Sequence, residues 1–145
     1  MMETLLHDNF GIIEEIQILS DVRLVGNRDL NPLSFTDYIK VQFEIKGNVK
    51  GFVFCYLDLE DKELTVAEKN YLLPLFLETM NILLGQQVSK SYNTTGDLRL
   101  SPPKIVSSKS PFTTNGKRNP VQKYSLELRT ISFEVAIEYN LERLN

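Results

Sequence analysis

Two apolar periods run through this chain, one of two residues and one close to 3.6, and they divide it into strand-forming and helix-forming parts. From Asp37 onward, Ile39, Val41, Phe43 and Ile45 alternate with Lys40, Gln42 and Glu44, the pattern of a strand with one wet face. Gly47 and Asn48 supply a turn. The following run, Val49 to Leu59, is apolar on both faces in its middle and rich in aromatic and β-branched residues, as a central strand is. Together they predict a hairpin. The period of two returns near the end of the chain, where Tyr124, Leu126 and Leu128 share one parity and Ile131, Phe133, Val135, Ile137 and Tyr139 the other. The change at Arg129 and Thr130 predicts either a tight hairpin or a bulge.

Between these parts, Thr65 to Gly96 carries the only long helical pattern. Thr65 and Glu68 form a T-x-x-E capping box that sets its start, and Gly96 suits the left-handed position after its last turn. At about 100° per residue, Leu72, Leu73, Phe76, Leu77, Met80, Leu83, Leu84 and Val88 fall on one broad arc, which predicts the core face. Pro74, Glu78, Asn81, Gly85 and Ser89 line up opposite, with Leu75 and Ile82 at the flank. Pro74 lies too far in to be a first-turn proline, so a kink is expected there. Gly85 in a helix interior costs about 1 kcal/mol relative to alanine.

Other segments are less regular. Within residues 3–25, Ile12, Ile13, Ile16 and Leu19 fit a helix while Ile16, Ile18, Val22 and Leu24 nearly fit a strand face, and we read a short helix followed by a strand. Gly26, Asn27 and the stretch from Asp29 to Pro32 have turn chemistry and predict a loop. Asp97 to Leu100 alternates and runs into Ser101-Pro102-Pro103, which breaks a strand or marks a sheet edge before Lys104-Ile105-Val106 resumes it. Residues 107–120 are polar, contain Asn115-Gly116, and predict a loop or long hairpin tip. The sum is an α+β fold: an antiparallel-dominated sheet of about five to six strands packed by one long helix, with a second short helix near the N-terminus.

Composition narrows the chemistry. A chain of 145 residues is expected to form one domain over residues 1–145, and 42% hydrophobic with 24% charged residues argues against disorder. A net charge of -3 gives no general attraction to nucleic acid or anionic membranes, so neither is an expected partner. Lys109, Lys117 and Arg118 in the polar segment are better read as a solvated loop than as a dock for an acidic surface. The single cysteine, Cys55, lies in an apolar run and reads as a core residue, not half of a disulfide. His7 is the only histidine, which removes multi-histidine sites within one chain. The start, MMETLLHDNF, has neither a basic region nor a long apolar run, so no secretory signal or membrane insertion is expected and the cytoplasm is the simplest location.

No phosphate-binding glycine loop, metal-ligand cluster or nucleophile-base pair stands at a recognisable spacing, so no cofactor is expected on this chain. The remaining candidates are Glu78 and Asn81, three residues apart and therefore neighbours on the wet face of the helix. Asparagine is poor in a helix interior because its side chain competes for backbone groups, so its position invites a reason. A merely solvated polar face is the plain alternative. Gly85, one turn further on, lets another backbone approach, and Leu75 and Ile82 flank the pair. If exposed, they complete a docking surface for another protein.

The run Glu78-Thr79-Met80-Asn81-Ile82-Leu83-Leu84-Gly85, followed by Gly96-Asp97-Leu98-Arg99-Leu100-Ser101-Pro102-Pro103-Lys104-Ile105-Val106, resembles the signature of the CheX-like and CheC-like chemotaxis phosphatases. That family has an E-x-x-N-x-x-x-G helix and then a strand entering a proline-containing segment. A single E-x-x-N resembles the CheX-like branch more closely. The resemblance implies a hydrolase acting on the aspartyl phosphate of a CheY-type receiver-domain response regulator in two-component signalling. It implies that Asn81 orients the attacking water, that Glu78 pairs with the regulator's active-site lysine, and that Mg²⁺ sits on the regulator. It also implies a homodimer, which we expect to form through strand edges of the C-terminal region. Only Glu60 to Leu64 is available where a further helix commonly stands in the family, which motivates an alternative: a non-catalytic domain of the same fold that binds a regulator or another signalling component.

Overall fold

Alternating apolar residues can bury only one side of a strand, and among the described residues five strands share that side and one helix closes it. The computed structural model describes residues 15–19, 22–27, 33–60, 62–95, 98–106, 112–114, 121–128 and 131–143. The strands are β1 (Glu15–Leu19), β2 (Val22–Asn27), β3 (Leu33–Phe35), β4 (Tyr38–Gly47) and β5 (Val49–Asp58). Helix α1 (Val66–Thr95) follows, and then β6 (Leu98–Leu100), β7 (Lys104–Val106), β8 (Phe112–Thr114), β9 (Val121–Leu128) and β10 (Ile131–Arg143). The main sheet has the order β1-β2-β9-β10-β5-β4-β6, with β7 also on β4, and every pairing in it is antiparallel. This is the expected α+β arrangement, with six strands of five residues or more and the three-residue β6 and β7 added at one edge.

Both predicted hairpins are present. β4 and β5 pair from Tyr38↔Asp58 to Ile45↔Gly51. β9 and β10 pair antiparallel from Leu128↔Ile131 to Val121↔Glu138, which selects the hairpin over the bulge. The registers stack apolar residues into rows, Val41 beside Cys55 beside Ile137 and Phe43 beside Val53 beside Tyr139. All six are buried. They join Leu72, Leu75, Phe76, Met80, Leu83 and Leu84 of α1 and Leu98 of β6 in one cluster. Burial pushes the Cys55 thiol well above its ordinary pKa, as fits an inert core residue.

Three expectations change. Residues 15–27 form a hairpin of β1 and β2, not one strand, and Gly26 and Asn27 are paired within β2. The helix expected before them lies outside the described residues. Phe112–Thr114, placed in a loop by its polar surroundings, forms a two-stranded sheet with β3, from Leu33↔Thr114 to Phe35↔Phe112. The C-terminal strands are not sheet edges: β9 is flanked by β2 and β10, and β10 by β9 and β5. Among the described strands the edges of the main sheet are β1 and the β6–β7 side. His7, Gly96, Lys109, Lys117 and Arg118 also lie outside the described residues.

The second face of the sheet is polar, with aromatic residues set into it. Lys40, Tyr56, Ala136 and Lys123 stand side by side across four strands. Lys40 Nζ lies 4.6 Å from the Phe54 ring centroid, and the Tyr56 hydroxyl donates to Glu138 Oε1 at 3.3 Å. Lys123 pairs with Glu134 at 3.2 Å and Arg23 with Glu127, so charges on neighbouring strands are matched there.

Candidate functional site

Three local devices orient α1. The capping box closes as its sequence predicts: the Thr65 backbone N–H donates to Glu68 Oε1 and the Glu68 N–H to Thr65 Oγ1, both at 3.1 Å. Two of the four orphan donors at the helix start are thereby satisfied. The apolar stripe then fixes the rotation. Leu72, Leu75, Phe76, Met80, Leu83 and Leu84 are buried, and so are two polar residues on the same side, Thr79 and Gln87. Finally, α1 packs against β6, which pairs with β4 through Ile45↔Leu100 and Gly47↔Leu98.

The proline segment after β6 keeps its place on β4 through a serine. Pro102 and Pro103 have no N–H to give a ladder. Ser101 compensates: its backbone N–H donates to the Glu44 carbonyl at 2.9 Å, and its Oγ accepts from the Glu44 N–H at 2.8 Å. Both main-chain groups of Glu44 are thus satisfied by one residue, and β7 resumes the pairing at Gln42↔Lys104.

Of the residues singled out in the sequence, Glu78 and Asn81 are exposed on α1. At a separation of three residues their Cβ atoms lie about 5–6 Å apart. Gly85 follows one turn later and is half-buried, and a Cβ built there meets no atom within 4 Å. Pro74 is exposed on the same side, and the helix runs through it without interruption.

Leu75 departs from expectation. It is buried at 6% exposure and belongs to the core, so it is not part of an outer surface. The cause is a rotation of the buried stripe toward Leu75, Thr79 and Gln87 and away from Leu73, Leu77 and Val88, which are half-buried. Thr79 makes this possible, because its hydroxyl donates to the Leu75 carbonyl at 2.8 Å and needs no water. Ile82 is half-buried at the edge of the outer face.

Two features escaped the sequence reading. Gln87 is fully buried with neither its Oε1 nor its Nε2 hydrogen-bonded. Tyr71 is 51% exposed, one of three large hydrophobic residues so exposed among those described, and it precedes Glu78 by two turns. The spacing of seven was the available signal.

The outer face of α1 therefore offers a carboxylate, a carboxamide that both donates and accepts, and an open glycine, all on one rigid element. A carboxamide can hold a water by two hydrogen bonds but is too weak a base to activate it. Among the described residues no group of three His, Cys, Asp or Glu side chains is placed to hold a metal ion. No helix among them is long and apolar enough to cross a membrane. What the site provides is orientation and a single charge.

No family model matches the chain, and no curated protein matches it. Solved structures do resemble it. A presumed chemotaxis protein from Desulfovibrio vulgaris Hildenborough is 12% identical, with 96% of this chain and 90% of that chain covered at a TM-score of 0.47. The chemotaxis protein CheX from Desulfovibrio desulfuricans is 14% identical, with 97% and 93% covered at a TM-score of 0.46. The CheX-CheY-BeF3-Mg complex from Borrelia burgdorferi aligns at 14% identity over 94% of this chain and 91% of that chain, with a TM-score of 0.42. Likeness this distant assigns no residue a role.

Proposed function

We propose that this chain dephosphorylates the aspartyl phosphate of a CheY-type receiver domain, in chemotaxis or a related two-component pathway, with the outer face of α1 inserted at the partner's phosphorylation site. The observation that carries the reading is the joint exposure of Glu78 and Asn81 one turn apart on an element whose other side is locked into the core. The spaced E-x-x-N-x-x-x-G and Ser101-Pro102-Pro103 pattern in the sequence agrees with it.

The chemistry suits these residue types. An acyl phosphate is already reactive, and phosphoryl transfer through a loose transition state depends on positioning and charge stabilisation more than on a strong base. In our reading the Asn81 carboxamide holds a water in line with the phosphorus. Its oxygen bonds to phosphorus as the bond to the aspartyl oxygen breaks, giving inorganic phosphate and a free carboxylate, and the water's proton leaves with the phosphate. Glu78 makes a charge-assisted contact with a lysine of the regulator and fixes the docking register. Mg²⁺ belongs to the regulator. Ile82 and Gly85 border the contact, the glycine by letting the partner's backbone come close.

Phosphate release from a receiver domain phosphorylated with acetyl phosphate, freed of the donor and kept in Mg²⁺ buffer, tests this directly. Wild type is expected to accelerate release over the receiver alone, and Asn81→Ala to lose about 100-fold or more of that acceleration, the scale of removing one preorganised polar group. Equal rates for the two proteins exclude the reading. Binding without acceleration selects the second one, a non-catalytic interaction domain, which the direct passage from β5 to α1 without an intervening helix favours. A homodimer, if formed through strand pairing, uses β1 or the β6–β7 side, where the described sheet has its edges.

A further inference from the structure

We infer that the partner's footprint extends two turns beyond Glu78, toward the start of α1, and that Tyr71 is a specificity-determining anchor for it. This rests on the receiver-domain reading of the same helix face.

Single exposed apolar residues are ordinary on a protein surface. Position sets Tyr71 apart. Tyr71, Pro74, Glu78, Asn81 and Gly85 follow one another at alternating steps of three and four, the spacing of a straight seam along a helix. Except for the half-buried Gly85, every member of this seam is exposed. At 1.5 Å per residue, Tyr71 lies about 10 Å from Glu78 and about 21 Å from Gly85 along the axis. A domain docked at Glu78 and Asn81 is wide enough to reach both ends.

Pro74 adds a polar element to this end of the seam. Without an N–H, it cannot bond the carbonyl of Asn70, four residues earlier, and Asn70 is exposed beside Tyr71. The helix thus presents an aromatic ring and a phenolic hydroxyl beside a main-chain carbonyl that lacks its usual donor four residues on. The matching surface is an apolar patch bordered by a hydrogen-bond donor, about 15 Å along the helix axis from the partner's phosphorylated aspartate, which faces Asn81. Tyrosine suits such an anchor because it brings a large rigid area with few torsions to freeze. Because Tyr71 touches no reacting atom, its contribution is equal in the ground state and the transition state and appears in KM alone.

Steady-state phosphate release from the acetyl-phosphate-labelled receiver domain, for wild type, Tyr71→Ala, Tyr71→Phe and Asn81→Ala, tests the inference. Tyr71→Ala is expected to raise KM about tenfold with kcat and melting temperature unchanged, the size of a moderate hot spot. Tyr71→Phe keeps KM within about threefold of wild type. A KM for Tyr71→Ala within about twofold of wild type overturns the inference, and so does a change confined to kcat. If wild type fails to accelerate release at all, the receiver-domain reading falls and takes this inference with it. That outcome shows in the wild-type control, before any variant is compared.

Discussion

Gly51 and Gly85 sit in the two regions that matter most here, and their surroundings are opposite. Gly51 of β5 pairs with Leu141 of β10, at a φ of +152°, and a Cβ there would stand 2.2 Å from the carbonyl oxygen of Asn140. The fold requires that glycine. Gly85 lies on the outer side of α1, where a Cβ would meet nothing within 4 Å and the conformation is one any residue adopts. Nothing among the described residues requires it, yet it weakens the helix by about 1 kcal/mol relative to alanine. A residue that costs stability without an internal reason points outward, to something that approaches the helix. The buried face of the same helix shows the contrary logic, since even its polar Thr79 is fitted to the core by a hydrogen bond.

Substitutions sharpen this contrast in order of size. Gly51→Ala is expected to destabilise by about 4 kcal/mol, combining backbone strain with a methyl forced into filled space. Chemical denaturation measures it, and a loss under about 1 kcal/mol contradicts the requirement. Leu75→Ala is expected to cost about 3 kcal/mol as a core truncation, whereas Glu78→Ala on the outer face changes stability by less than about 0.5 kcal/mol. Comparable losses at the two positions would erase the distinction between the faces. Thr65→Ala removes half of the capping box and is expected to cost about 1 kcal/mol, visible as a lower denaturation midpoint. Thr65→Asp, which caps as well, is expected to restore it.

Much of this organisation is legible in the sequence, and the exceptions have physical causes. The hairpins of β4–β5 and β9–β10 and the start of α1 follow from local signals: period, turn residues and a cap. Strand order is different. The placement of β9 and β10 between β2 and β5 depends on pairings distant in sequence, so the C-terminal strands looked like candidates for an edge when they are central. The β3–β8 pair joins two three-residue segments about half the chain apart, too short to show a period. Leu75 was misplaced because a hydropathy arc counts threonine as polar, while Thr79 goes inside once it bonds the Leu75 carbonyl. Glu78, Asn81 and Gly85 were legible because three residues of poor fit to a buried face shared one side of the helix. Tyr71 carried no such signal: a lone aromatic outside the core arc looks like any other surface residue until its seven-residue step to Glu78 is set beside its exposure.

Whether the outer face of α1 serves a partner is measured most directly by Gly85→Ala, with two readouts on one protein. The prediction is a gain of about 1 kcal/mol in unfolding free energy, from replacing a helical glycine in open space, together with a loss of about tenfold in the rate of phosphate release from the labelled receiver domain. A variant that is more stable and equally active would contradict it, because the glycine would then serve neither the fold nor a docked partner.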